Sequence, residues 1–366
     1  MVIREYSKVE LVFSSSESEA VKIALVNLRR DLIRTLDCSV TAGGIIRILV
    51  GTVGNLPELD EKADISKLRA EDGTYRKEAF LIQEKDGELL IAGTDRRGTI
   101  YGIYDFCEWL GVSPWYFFAD VPVRRRSEAV IESGYCKVDY PSVEYRGIFI
   151  NDEEELEHWV WRYMGETTIG VKTYEKIFEL LLRLKLNYIW PAMHVNSFNL
   201  KQENGALANR MGIVVGTSHC DMLMRSNNRE WKPWLAKKGY TDVEYDFSIP
   251  GRNREILKEY WRESVEQNRD FEVSYTVGMR GIHDSGFETK SLEGLTGEKL
   301  LKAKIELLES VMAAQQEILS ETLDTEPMKT FVPYKEVLEL YDNGLNVPED
   351  LTLIWTNDNY GYVRRY

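Results

Sequence analysis

Residues 18–36, SEAVKIALVNLRRDLIRTL, place Val21, Ala24, Leu25, Leu28 and Leu32 along one side of a 3.6-residue period, which predicts an amphipathic helix. On either side, VELVF (9–13) and IIRILVG (45–51) read as strands. The stretch EAFLIQEKDGELLIAGT (78–94) sets two apolar runs about Lys85-Asp86-Gly87, the signature of a hairpin. DRRGTIYGIYDFCEWLG (95–111) opens on an aspartate in N-cap position and stops at a glycine, as a helix does. Residues 1–138 therefore predict a mixed α/β domain, without repeats or low-complexity segments.

From about residue 139 the pattern changes. Short apolar runs, each ending in polar residues, alternate with helical periods: YRGIFIND (145–152), NYIWPAMH (187–194), GIVVGTSH (212–219), SYTVGMRG (274–281), KTFVPYKE (329–336) and LTLIWTNDN (351–359). TYEKIFELLLRLK (173–185) and residues 298–323 are two of the intervening helices. Such alternation means a parallel sheet covered on both faces, as an open doubly wound sheet or a (β/α)8 barrel. A doubly wound sheet gathers its ligand groups at one switch point, often with a glycine-rich phosphate loop, and neither GxGxxG nor GxxxxGK[ST] occurs here. Six successive strands that all end in polar or aromatic groups fit the barrel, whose catalytic side chains sit at strand C-termini. The predicted fold class is thus α/β, an N-terminal mixed domain (1–138) followed by a TIM-type barrel (139–366) with six of its eight strands present.

Length and charge narrow the function. A chain of 366 residues exceeds a single small core. A formal charge of −14 argues against nucleic acid or an anionic membrane as partner, and an anionic ligand would need a local Arg or Lys. No apolar run reaches the roughly 20 residues that span a bilayer. MVIREYSKVELVF lacks the parts of a secretory signal, which predicts a cytoplasmic chain. Cys38, Cys107, Cys136 and Cys220 are scattered without a CxxC pair, so neither a zinc site nor a disulfide framework is expected.

The strand ends supply the candidate chemistry. Glu336, beyond VPYK with Tyr334 two residues earlier, reads as a carboxyl group in an apolar, aromatic pocket that could donate a proton, or as the start of the next helix. GMRGIHDSG (278–286) brings Arg280, His283 and Asp284 onto a glycine-rich turn, either as a carboxylate-binding site or as an ion pair bracing a loop. Paired carboxyl groups at strand ends are the equipment of glycoside hydrolysis. His194 and His219 are too isolated for a metal site and are expected to bond substrate or an active-site carboxylate. Trp190 reads as a sugar platform or as core, and Asp358 and Asn359 as ligand-binding groups or turn residues.

Together YRGIFINDEEEL, YEKIFELLLRLKLNYIWPAM, MGIVVGTSH, TVGMRG and VPEDLTLIWTNDNYGYVRR resemble glycoside hydrolase family 115, the xylan α-1,2-glucuronidases, and residues 91–123 resemble that family's first domain. The resemblance implies removal of glucuronic acid or its 4-O-methyl derivative from glucuronoxylan, with inversion and without a metal or other cofactor. It implies Glu336 as general acid, Arg280 as ligand of the uronate carboxylate, and Asp284 as base with Asp152 as competitor. Asn359 and His219 fall on further functional positions, whereas Glu153, Glu154 and Glu155 read as the start of the next helix. The chain departs from the family pattern at Asn357, at His194 and in GTSHCDML. Family enzymes continue beyond NYGYVRR, so a truncated product is expected, and a homodimer is compatible with the full-length form. Two rival expectations are a barrel glycosidase of hexosaminidase-like specificity and a non-catalytic, sugar-binding remnant.

Overall fold

The computed structural model describes residues 1–151, 154–286, 288–358 and 360–363. They form two compact units, the first comprising Met1–Gly147, Glu175–Asn187 and Arg210–Ile213, the second Ile148–Tyr174, Tyr188–Asn209 and Val214–Tyr366.

The first unit contains β1 (Val2–Arg4), β2 (Lys8–Val12), α1 (Glu19–Leu36), β3 (Ser39–Val40), β4 (Ile46–Thr52), α2 (Pro57–Lys62), β5 (Phe80–Lys85), β6 (Glu88–Gly93), α3 (Arg96–Leu110), β7 (Glu128–Val130) and β8 (Cys136–Asp139). Its six-stranded sheet has the order β3-β2-β4-β6-β5-β8. The pairs up to β6 are parallel, while β5 joins β6 and β8 antiparallel. The β5–β6 turn holds Asp86 and Gly87 at φ 53° and 82°, the left-handed pair that matches strand twist in a two-residue hairpin. Helix α1 starts where the Ser18 hydroxyl accepts from the Val21 N–H (3.3 Å) and buries Val21, Leu25, Leu28 and Leu32. Asp95 caps α3 by accepting from the Arg97 and Gly98 N–H groups at 2.9 Å, and Gly111 ends it at φ 111°.

The first unit also holds a buried charge network. Arg183 donates to Asp31 (2.6 Å) and Glu179 (2.9 Å), and Glu179 further accepts from Arg30 (2.7 Å) and the Tyr116 hydroxyl (2.9 Å). Burial pushes the Glu179 carboxyl up, but the charges of Arg183 and Arg30 outweigh it and hold the group at about 2.

The second unit carries β9 (Gly147–Phe149), α4 (Glu154–Trp159), α5 (Val171–Arg183, which ends in the first unit), β10 (Tyr188–Trp190), α6 (Gln202–Met211), β11 (Val214–Val215), α7 (Trp231–Lys238), α8 (Arg252–Asn268), β12 (Ser274–Thr276), α9 (Gly297–Thr322), β13 (Met328–Phe331), α10 (Glu336–Asp342) and β14 (Thr352–Leu353). Spatial order follows chain order: β9-β10-β11 form one sheet, β12-β13-β14 another, and a parallel bridge between Val215 and Val273 links the two. The β10–β11, β12–β13 and β13–β14 pairs are parallel.

Side chains tie neighbouring strands together. The Tyr188 hydroxyl lies 2.6 Å from Ser274 Oγ, and Thr276 and Thr330, in register, join their hydroxyls at 3.0 Å. Gly216 makes the first contact feasible, because a Cβ there would stand 2.0 Å from the Tyr188 hydroxyl oxygen. The strands are shorter than the apolar runs predict. Beyond Phe149, Trp190 and Leu353 the backbone leaves the ladder after one further bond at most, such as Ile150 N–H to Trp190 O (2.9 Å). The polar ends of those runs are loops.

Candidate active site

The strand-end candidates recur at nearly constant distance from their strands. His194, His219 and Arg280 each lie four residues beyond β10, β11 and β12, and Glu336 lies five beyond β13. The side chains of His219, Arg280, Asp284, Tyr334 and Glu336 come together as one cluster.

Arg280 is its centre. Nε donates to Glu336 Oε1 (3.0 Å) and Nη2 to Oε2 (2.8 Å), a bidentate pair, while Nη1 donates to Asp284 Oδ1. The guanidinium is only 2% exposed, whereas the carboxylates of Asp284 and Glu336 remain 32% and 21% exposed. Solvent therefore reaches the carboxylates and not the arginine beneath them.

Asp284 also receives His219 Nε2 (2.9 Å), Lys335 Nζ (2.5 Å) and the Cys220 thiol (3.5 Å). Burial pushes its carboxyl up, but the hydrogen bonds from Lys335 and His219 and the charge of Arg280 hold it down at about 2. Its ionised form makes the His219 Nε2–H the donor. Burial keeps the His219 imidazole below its ordinary value despite Asp284, with Arg280 and Lys335 adding to the effect. The ring lies 4.6 Å from that of Tyr334, centroid to centroid, and the Arg280 guanidinium carbon lies 5.9 Å from the same tyrosine.

Glu336 satisfies both readings of its sequence: it stands beyond a strand end and is the first residue of α10. Its surroundings differ from the expected apolar pocket, since Arg280 occupies both of its oxygens. The Arg280–Asp284 pair exists as well, within a cluster that also holds Glu336.

The remaining candidates sit apart from these contacts. His194 Nε2 lies 3.0 Å from Glu154 Oε1, and its ring is 4.4 Å from that of His283. Trp190 donates its indole N–H to the Tyr188 hydroxyl (2.9 Å) and packs its ring on Phe149. The Asp358 carboxylate accepts from the Tyr360 and Tyr362 N–H groups (2.9 and 3.0 Å), which builds a turn. Asp152 and Asn359 lie outside the described residues.

Two members of the site escaped the sequence reading, Lys335 and Cys220. Lys335 precedes Glu336 and, in an extended strand, would point away from it. A left-handed backbone (φ 51°) swings it toward Asp284 instead, a change that no periodicity signals. His219, Cys220 and Asp284 bring three potential metal-ligand atoms within 4.8 Å of one another. They do not suit a cation, because Arg280 and Lys335 already ion-pair with Asp284 and burial pushes the Cys220 thiol up, which keeps it protonated.

Residues 138–366 match the family model described as glycosyl hydrolase family 115. The chain belongs to that family. Among solved structures it is similar to a family 115 4-O-methyl-α-glucuronidase with specificity for decorated arabinogalactans, at 34% identity and a TM-score of 0.87 over 100% of this chain. The chain spans about half (47%) of the length of that enzyme. A second structure, CpGH84D, shares the fold at 13% identity and a TM-score of 0.54, covering 99% of this chain and 54% of its own. No curated protein matches the sequence. The family 115 match includes every residue of the Arg280 cluster.

Proposed function

We propose that this chain carries the acid–base centre of an inverting α-glucuronidase that releases glucuronic acid or its 4-O-methyl derivative from glucuronoxylan. The six strands β9–β14, in sequential parallel order with helices between them, are read as part of a (β/α)8 barrel with the cluster at its C-terminal face. The observation that carries the proposal is one buried guanidinium held between two half-exposed carboxylates. Two carboxyl groups offered side by side are what glycoside hydrolysis requires, one to protonate the leaving oxygen and one to activate water.

In this reading Glu336, an anion while it is paired with Arg280, takes up a proton from solvent before it passes that proton to the leaving glycosidic oxygen. Asp284, ionised throughout the neutral range, takes a proton from the water that attacks the opposite face of the sugar. His219 and Lys335 orient Asp284. Lys335, 45% exposed, is the accessible cation that meets the uronate carboxylate, while the buried Arg280 adds its field from below. The structural neighbour's specificity favours a second substrate reading, in which the uronic acid decorates an arabinogalactan.

The test is product analysis on glucuronoxylan and on decorated arabinogalactan with the wild-type chain and Glu336→Gln. Release of uronic acid should fall about 10³-fold in the variant, and proton NMR of the first product should show the β anomer. Turnover unchanged by Glu336→Gln removes that residue from the acid role, and a first-formed α anomer rules out inversion.

A further inference from the structure

Arg280 can space two carboxylates only if its own backbone is fixed, and two carboxamides fix it. On one side, Gln315 in α9 grips Gly278 by both of its backbone polar groups. Its Oε1 accepts the Gly278 N–H at 2.7 Å and its Nε2 donates to the Gly278 carbonyl at 2.9 Å. On the other, Asn227, between β11 and α7, donates from Nδ2 to the Gly281 carbonyl (2.9 Å) and accepts the His283 N–H on Oδ1 (2.9 Å). Only Met279 and Arg280 lie between the two grips.

Both carboxamides are buried, Gln315 at 0% and Asn227 at 2% exposure, and the two Gln315 bonds are fully buried, so water does not compete for them. The segment needs such help because it leaves the ladder after Thr276 and turns through two positive-φ residues, a glycine that adopts such a shape freely and a histidine that does so at a cost. Gly278 has φ 125° and His283 φ 61°.

We infer that Gln315 and Asn227 are positioning residues of the reaction: they hold the 278–283 turn so that one guanidinium keeps Glu336 and Asp284 at working separation. The inference rests on the glucuronidase reading for its kinetic consequence, but its structural consequence is independent of any substrate. Misplacing reacting groups by an ångström costs on the order of 10²-fold in rate. Gln315→Ala and Asn227→Ala should each lower kcat about 10²-fold with KM changed less than twofold.

The same variants should shift the His219 titration followed by NMR, because Asp284 and Arg280, which act on its ring together with Lys335, are displaced. Gln315→Met and Asn227→Leu, which keep the volume and remove both hydrogen bonds without adding a charge, should shift both readouts as the alanine variants do. They also provide folded proteins where an alanine variant does not fold. Gln316→Ala, on the same helix but bonded to Asp350 at the surface, should leave kcat and the titration as in wild type. If the wild-type chain hydrolyses no uronide, the functional reading fails and the His219 titration still decides the positioning role. A His219 titration identical in wild type and in both grip variants overturns the inference, as does an equal kcat loss in Gln316→Ala.

Discussion

Each unit contains an arginine bonded to two carboxylates, and the two arrangements differ in what reaches the carboxylates. In the first unit Arg183 bridges Asp31 and Glu179, all three at most 5% exposed and all carried by helices. In the second, Arg280 is just as buried, but Asp284 and Glu336 keep about a third and a fifth of their side chains open, on the turn after β12 and at the first residue of α10. In both units a carboxyl group is held at about 2. Charge pairing and a depressed carboxyl therefore do not by themselves mark a reactive centre. What separates the two is access: sealed on every side the motif braces two helices, and open on one side it leaves two carboxylates within reach of solvent.

The sharpest way to break that contrast is to remove each arginine. Arg280→Met should cut uronic acid release by about 10³-fold, from lost positioning and lost charge, with a small change in unfolding midpoint because its carboxylates can rehydrate. Arg183→Met leaves the buried Asp31 and Glu179 with Arg30 as their one remaining arginine and should cost about 3 kcal/mol in urea unfolding of the first unit. Equal losses of stability in the two variants would erase the distinction drawn from exposure.

Acid titration gives a smaller and separable effect. The Glu179 carboxyl is lower in the folded state (about 2) than its ordinary 4.5, so its contribution is complete above pH 4.5 and is lost as pH falls toward 2. His219, buried and held below 6.5, binds its proton less readily when folded, so a further loss begins below pH 6.5. Circular dichroism against pH should show both steps. Glu179→Gln should shrink the lower one and leave the part that Asp284, also held at about 2, contributes, and an unaltered profile in that variant would contradict the assignment. The smallest effect expected is that of Cys220→Ser. A thiol 3.5 Å from Asp284 is a weak donor among stronger ones, so turnover should change less than threefold, and a loss above tenfold would give the thiol a larger part.

The sequence was informative where local chemistry decides. The Ser18 and Asp95 caps, the Asp86-Gly87 turn and the apolar periods of α1, α3, α5 and α9 are all legible from residues a few positions apart. The cluster was half legible: Arg280, Asp284, His219, Tyr334 and Glu336 announce themselves at strand ends. That Arg280 would sit buried beneath both carboxylates was not legible, because it depends on loops from three strands meeting. Lys335 and Cys220 were hidden for the same reason, and Asn227 and Gln315 because a buried carboxamide on a helix or loop looks like any surface amide in sequence. Strand length was overestimated because apolar residues persist into the loops that carry the site, where burial continues after the ladder stops.

Helix α9 gives one of these features a mechanical meaning. Its 26 residues make a rod about 39 Å long at 1.5 Å per residue, and Gln315 is seven residues from its C-terminal end. Because Gln315 holds both backbone polar groups of Gly278, an axial slide of the rod is passed to the strand-end turn as a lever arm passes a push. The opposite end of the rod carries exposed charge at Glu298, Lys302 and Glu306, so water holds that end while Gln315 fastens the other to the strand-end turn.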